Sequence, residues 1–172
     1  MAITRNQTDL GKNFPFLDHG DPVYDRLVNS VKSDDLHPNT IQMAEVAVTA
    51  AEMLSLATTA KELVAAPGSG YVLEFISAVF IFDYAAVFVV AGGDDIVVRF
   101  TNGSGTIVSL TLETTGLLDT AADAILTVKN LATDVALTQN AALVLDNIGS
   151  NWSGTGSPCR VKVAYRVHAT GL

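Results

Sequence analysis

From residue 41 onward apolar and polar positions alternate with a period of two, and short runs rich in Gly, Ser, Asn and Pro interrupt the alternation. This is the pattern of half-buried β-strands separated by turns. It is cleanest in 159–170. There Cys159, Val161, Val163, Tyr165 and Val167 fall on one side, and Arg160, Lys162, Ala164, Arg166 and His168 on the other. One side reads as core, and the other meets water or a partner. Earlier strands are expected at 46–48, 61–66, 71–84, 86–90, 96–101, 106–113, 125–129 and 142–147. The pair 96–101 and 106–113 reads as a hairpin across Asn102-Gly103-Ser104-Gly105. Residues 50–56 read as a helical turn or a bend, and 147–158 as a polar loop.

Before residue 41 the pattern differs. Apolar residues stand as isolated anchors, among them Phe14, Phe16, Tyr24, Leu27, Val28 and Val31. Tyr24, Leu27, Val28 and Val31 have helical spacing, and Asp21-Pro22 ahead of them supplies an N-cap with Pro at the first helical position. The sequence therefore predicts an extended N-terminal arm, 1–40, carrying one short amphipathic helix, and a β domain, 41–172. The aromatic anchors argue against a disordered tail.

About eight strands with no long helix and no α/β alternation predict an all-β fold: an antiparallel β-sandwich of the jelly-roll kind. Composition sharpens this. Of 172 residues, 49% are apolar and 16% charged, against about 25% charged in an average soluble domain. The most apolar stretch, 71–93, is interrupted by Glu74 and Asp83, so it falls short of the ~20 apolar residues of a spanning helix. The opening MAITRNQTDLGKNF lacks the apolar core of a secretory signal. The chain thus reads as a soluble, oligomeric protein made in the cytoplasm, with no membrane partner. A net charge of −8 argues against nucleic acid as a partner. The single Cys159 excludes an intrachain disulfide and a Cys-rich zinc site.

Candidate chemistry is sparse. His19, His37 and His168 are scattered, with no H-x-H pair of the kind a cupin metal centre uses. Asp94-Asp95 reads as a solvated turn rather than a calcium site. Neither a G-x-S-x-G elbow nor a phosphate loop occurs. Cys159 reads as a buried small hydrophobe. Glu74 and Glu113 are carboxylates of the type that paired glycosidase sites use, but Glu74 falls on the expected solvent side of its strand. Trp152 reads as a cap on one end of the sandwich or a subunit contact, ahead of a platform for a sugar. No catalytic residue, cofactor or metal is expected, and the chain does not read as an enzyme. One charge feature stands out: Arg160, Lys162 and Arg166 line one strand as a basic stripe, in a body with twelve acidic residues beyond the arm. Such a stripe can pair with acidic surface on a neighbour and fix register.

Several phrases of the body resemble a family of small jelly-roll structural proteins of tailed bacteriophages, which decorate or cement the capsid. They are Leu63-Val64-Ala65-Ala66-Pro67-Gly68 with Gly70, Arg99-Phe100-Thr101, Asn140-Ala141-Ala142-Leu143, and Val161-Lys162-Val163-Ala164-Tyr165-Arg166-Val167. The resemblance runs from about residue 47 to 172. It implies a homotrimer that binds the major capsid protein or other virion proteins, located in the virion after assembly in the host cytoplasm. Physics alone assigns the arm, whose Phe14, Phe16, Tyr24, Leu27 and Val31 are expected to dock on an adjacent subunit or on the shell. The alternatives are a receptor- or glycan-binding module of a phage tail or fibre, using Trp152 and Tyr84, and, more distantly, a β-sandwich hydrolase.

Overall fold

A computed structural model describes residues 40–89, 95–101, 105–115, 118–119 and 121–171. The expected helix of the arm and its anchors Phe14, Phe16, Tyr24, Leu27 and Val31 lie outside the described residues. So do the glycine turns at 92–94 and 102–104.

Nearly all the regular secondary structure of the described residues is strand. In order it forms β1 (Gln42–Val48), the short helix α1 (Ala50–Leu54), β2 (Lys61–Val64), β3 (Tyr71–Phe82), β4 (Phe88–Val89) and β5 (Ile96–Phe100). Then come β6 (Ala124–Lys129), β7 (Leu143–Asn147), β8 (Ser153–Gly154) and β9 (Cys159–Ala169). One sheet has the order β1-β9-β3-β6, a second β2-β7-β5, and β4 pairs with β8. Every pairing is antiparallel. The chain changes sheet at nearly every connection, from β1 to β2, to β3, to β5, and later from β6 to β7 to β9. That connectivity is a jelly roll, in which two sheets pack face to face and each strand turns one side to the core.

The core lies between the sheets. Val161 and Val163 of β9, Phe80 of β3, Ile96 and Val98 of β5, and Leu143 and Leu145 of β7 are fully buried in it. A register shift between Phe75 and Ser77 changes the inward parity of β3. Leu73 and Phe75 point inward before it, and Ala78, Phe80 and Phe82 after it. The bulge lets a twelve-residue strand keep one face on the core while bending around it.

The segment 106–113 departs from the expected hairpin strand. It makes isolated bridges, Ile107 with Arg99 and Leu112 with Ile96 on β5, and Ser109 with Asn130 just beyond β6. The cause is local. The Ser109 hydroxyl accepts the Val98 N–H at 2.8 Å, and the Leu110 N–H turns to the Lys129 carbonyl at 2.9 Å. The segment therefore divides its hydrogen bonds between the two sheets and closes that side of the sandwich.

Of residues 50–56, the first five form α1 and the rest a turn. The helix starts in a capping box: the Thr49 hydroxyl accepts the Glu52 N–H at 3.2 Å, and the Glu52 carboxylate accepts the Thr49 N–H at 2.8 Å. Lys61 of β2 hydrogen-bonds the same carboxylate. These bonds, that from Lys61 foremost, lower the Glu52 pKa to about 2. The stabilisation they bring is present above the ordinary value of 4.5 and is lost as the pH falls towards 2. Thr49→Ala is expected to cost about 1 kcal/mol. Thermal unfolding at neutral pH should show a midpoint lower by roughly 2–4 °C, and an unchanged midpoint would show that the cap contributes nothing.

Within the expected polar loop, β8 pairs with β4 and places Trp152 edge-on to Phe88, ring centres 5.6 Å apart. Trp152 is 4% exposed, so it caps the core at this end. Gly156, at φ +68°, passes so close to the Phe88 ring that a Cβ would strike it.

Candidate functional site

The open face of the β1-β9-β3-β6 sheet gathers most of the body's basic charge. β9 lies between β1 and β3, so its outward side chains stand in the middle of the face. Across one row the neighbours are Glu45, Lys162, Val79 and Thr127; across the next they are Ala47, Arg160, Ile81 and Ile125. The expected alternation of β9 is present: Cys159, Val161, Val163 and Tyr165 are buried, and Arg160, Lys162, Ala164, Arg166 and His168 face outward.

Two carboxylates share this stripe. Glu45 lies 3.7 Å from Arg160 and 3.2 Å from Lys162. Glu74 lies 3.3 Å from Arg166 and 2.8 Å from His168 Nε2. The His168 and Arg166 hydrogen bonds hold the Glu74 carboxyl below its usual range against partial burial. All these side chains are well exposed, so each pair contributes little stability on its own. Lys129 stands on the same face, opposite Ser77. Two large apolar side chains stand at opposite corners of it, Met43 on β1 at 62% and Ile125 on β6 at 71% exposure.

The end of the sandwich next to Arg160 is acidic instead, with Asp83 and Arg160 lining one pocket. The described residues among 83–95, 113–123 and 148–158 include no Lys, Arg or His. Asp83, Glu113, Asp119 and Asp123 are exposed there, as are the apolar Tyr84, Val87, Val89 and Ile148. Asp123 accepts the Tyr84 N–H at 2.8 Å and ties two of these loops together.

Among the described residues the carboxylates weighed in the sequence, Glu74 and Glu113, are not brought together. Glu74 lies near the start of β3, and Glu113 follows the Leu112 bridge at the opposite end of the sandwich. A cavity of about 350 Å³ opens between β3 and residues 130–138, with Leu73, Phe75, Phe100 and Val108 on its apolar side and Glu74 and Asp134 also lining it. Glu74 is engaged by Arg166 and His168, and its lowered pKa is the reverse of what a general acid needs. Cys159 is buried, and burial pushes its thiol up to about 12, far from a reactive thiolate. Trp152 has no exposed ring face to offer a sugar. Among the described residues no group of three His, Cys, Asp or Glu is placed to hold a metal, and no helix is long and apolar enough to cross a membrane.

One buried pair escaped sequence reasoning. Arg99 of β5 and Asp146 of β7 meet at 2.9 Å with side chains 10% and 4% exposed. They are diagonal neighbours on the side of the second sheet away from the core. Burial raises the Asp146 carboxyl above its ordinary value, and the attraction of Arg99 only partly offsets it. The available signal was one charge of each sign in two largely apolar runs, IVVRF and LVLDN.

No family model matches the chain, and no curated protein matches it.

Proposed function

We infer that this chain is a non-enzymatic structural protein of a virion, a jelly-roll subunit that associates with copies of itself and decorates or cements a phage capsid. One observation carries the reading: the loop end exposes the large apolar side chains Tyr84, Val87 and Val89 together within residues 84–89. Apolar side chains grouped on a surface mark places where another molecule docks. The low charge content, the jelly-roll connectivity and the resemblance of residues 47–172 to phage decoration proteins support the same reading. In it the arm, with Phe14, Phe16, Tyr24, Leu27 and Val31, adds buried area and tethers the docked body.

The test is cosedimentation of the purified full chain with capsids of the phage that encodes it. Binding is expected to saturate at a fixed ratio to the major capsid protein. A chain lacking residues 1–38 is expected to fold and to lose that binding. A full chain that stays in the supernatant overturns the capsid reading, and a truncated chain that binds equally well overturns the role of the arm.

A further inference from the structure

We propose that the outer edge of β1 pairs antiparallel with β1 of a second copy of this chain, across a two-fold axis at Ala44, so that two four-stranded sheets join into one. The proposal rests on the self-association inferred above and names the surface that carries it.

An edge strand presents a row of N–H and C=O groups to any other strand, and folded proteins blunt it with short length, bulges, charge or cover. Among the described residues, three of the four outer edges of the two main sheets are blunted in this way. β2 has four residues, begins at Lys61 and is bulged between Glu62 and Val64. β5 is covered by 106–112, through the bridges of Ile107 to Arg99 and Leu112 to Ile96. β6 ends in Lys129, whose carbonyl accepts the Leu110 N–H at 2.9 Å. β1 has none of these devices. Its seven residues, QMAEVAV, run in unbroken register with β9 and include no Pro, Gly or Lys. Its side chains are open as well. Ile41 and Met43 are exposed. Ala44 and Val46, on the inward side, are only half-buried, whereas their β9 partners Val163 and Val161 are completely covered. The core is therefore open along this edge.

An added strand supplies both things the edge lacks, main-chain partners and apolar side chains beside Ala44 and Val46. The antiparallel sense is that of every pairing in the molecule. A two-fold then relates the two strands, so the contact is isologous and closes at two chains. The side chains select the register. An axis at Glu45 sets the two carboxylates opposite each other, which is unfavourable. An axis at Val46 sets Met43 against Thr49, the N-cap of α1, and leaves Ile41 beyond the partner strand. An axis at Ala44 sets Ala44 against Ala44, Gln42 against Val46, and Met43 against Glu45. Glu45, already beside Arg160 and Lys162, then meets no like charge.

Light scattering of the full chain at several concentrations should show a reversible step from one chain to two. Ala44→Cys places two thiols opposite each other on the axis, where Cα atoms about 4.5–5.5 Å apart suit a disulfide. Mild oxidation should give a covalent dimer on a non-reducing gel. Wild type, whose Cys159 is buried, and Thr127→Cys on the far strand β6 should not crosslink. Met43→Glu sets a carboxylate against Glu45 twice in each dimer and should weaken association roughly tenfold, whereas Met43→Lys should not weaken it. Circular dichroism establishes that each variant folds; should Ala44→Cys not fold, the two variants at the exposed position 43 decide. A wild type that stays a single chain or forms three overturns the proposal. So does a folded Ala44→Cys that does not crosslink, a Thr127→Cys that crosslinks equally, or a Met43→Glu that pairs as tightly as wild type. A monomeric full chain that pairs once residues 1–38 are removed also overturns it, and gives the edge to the arm. The readouts are separable: a wild type that binds capsids yet stays monomeric refutes this contact and leaves the capsid reading standing, and a dimer that stays off capsids does the reverse.

Discussion

Val163→Asp is expected to yield a chain that does not fold. Val163 has no exposed surface and stands mid-strand on β9, paired with Ala44 of β1 and Ala78 of β3. A carboxylate there meets no donor, because the backbone groups around it are already used in the two ladders. Its desolvation costs several kcal/mol even after relaxation, on the order of 5 kcal/mol. Domains are stable by only about 5–15 kcal/mol, and the lost packing of the valine adds to the deficit. Ala164→Asp, one position on and facing outward beside Lys162 and Arg166, is the matched control and should shift stability by about 0.5 kcal/mol. Far-UV circular dichroism and solubility of the two variants check the pair. A native-like Val163→Asp protein would show that the inward side of β9 is wrongly assigned.

Asp146→Ala carries the second large effect. Removing the carboxylate 2.9 Å from Arg99 Nε strips a buried guanidinium of that counter-charge, which typically costs about 3–5 kcal/mol. Replacing both, Arg99→Met with Asp146→Leu, is expected to recover most of the loss, because two apolar side chains of similar bulk need no charge compensation. Urea unfolding reads this as a large fall in midpoint for the single variant and a small one for the double, at similar slope. A single variant as stable as wild type would mean that the pair does not hold the second sheet. The pH sign at Asp146 is opposite to that at Glu52 and Glu74. Its raised pKa favours the fold while the group is protonated, and that contribution fades as the pH rises through the folded value. Glu52 and Glu74, both lowered, stabilise at neutral pH and lose their contribution in acid.

The legibility of the fold followed burial. β9 could be read because one of its sides is core and the other open, which writes an alternation into the sequence. β5 and β7 are buried on both sides along their whole length, so neither shows alternation. Their strands were visible as apolar runs, but the ion pair between them was not. The 106–113 segment read as a plain hairpin strand because periodicity reports side-chain facing and not which carbonyl a backbone N–H meets. There a serine hydroxyl takes the place of a ladder partner, and no pattern of apolar residues encodes that. Trp152 in a Gly/Ser loop gave no sign of β8, since two residues are too short for any period. The basic stripe was legible as a spacing. The carboxylates that divide it, Glu45 and Glu74, come from two other strands and needed the register to be seen.

The antiparallel neighbours β1 and β9 have a mechanical consequence. Gln42 at the start of β1 lies opposite Tyr165 near the end of β9, and Val48 opposite Cys159. The chain thus enters and leaves the sheet at the same end. Tension between residues 40 and 170 does not load the ladder in shear, with all its bonds sharing the force. It opens the ladder like a zip, one residue pair at a time from Gln42 inward, and among the described residues no strand pairs with β1 on its other side. The first element to yield under such a pull is the edge strand, while the joint between β9 and β3 stays closed.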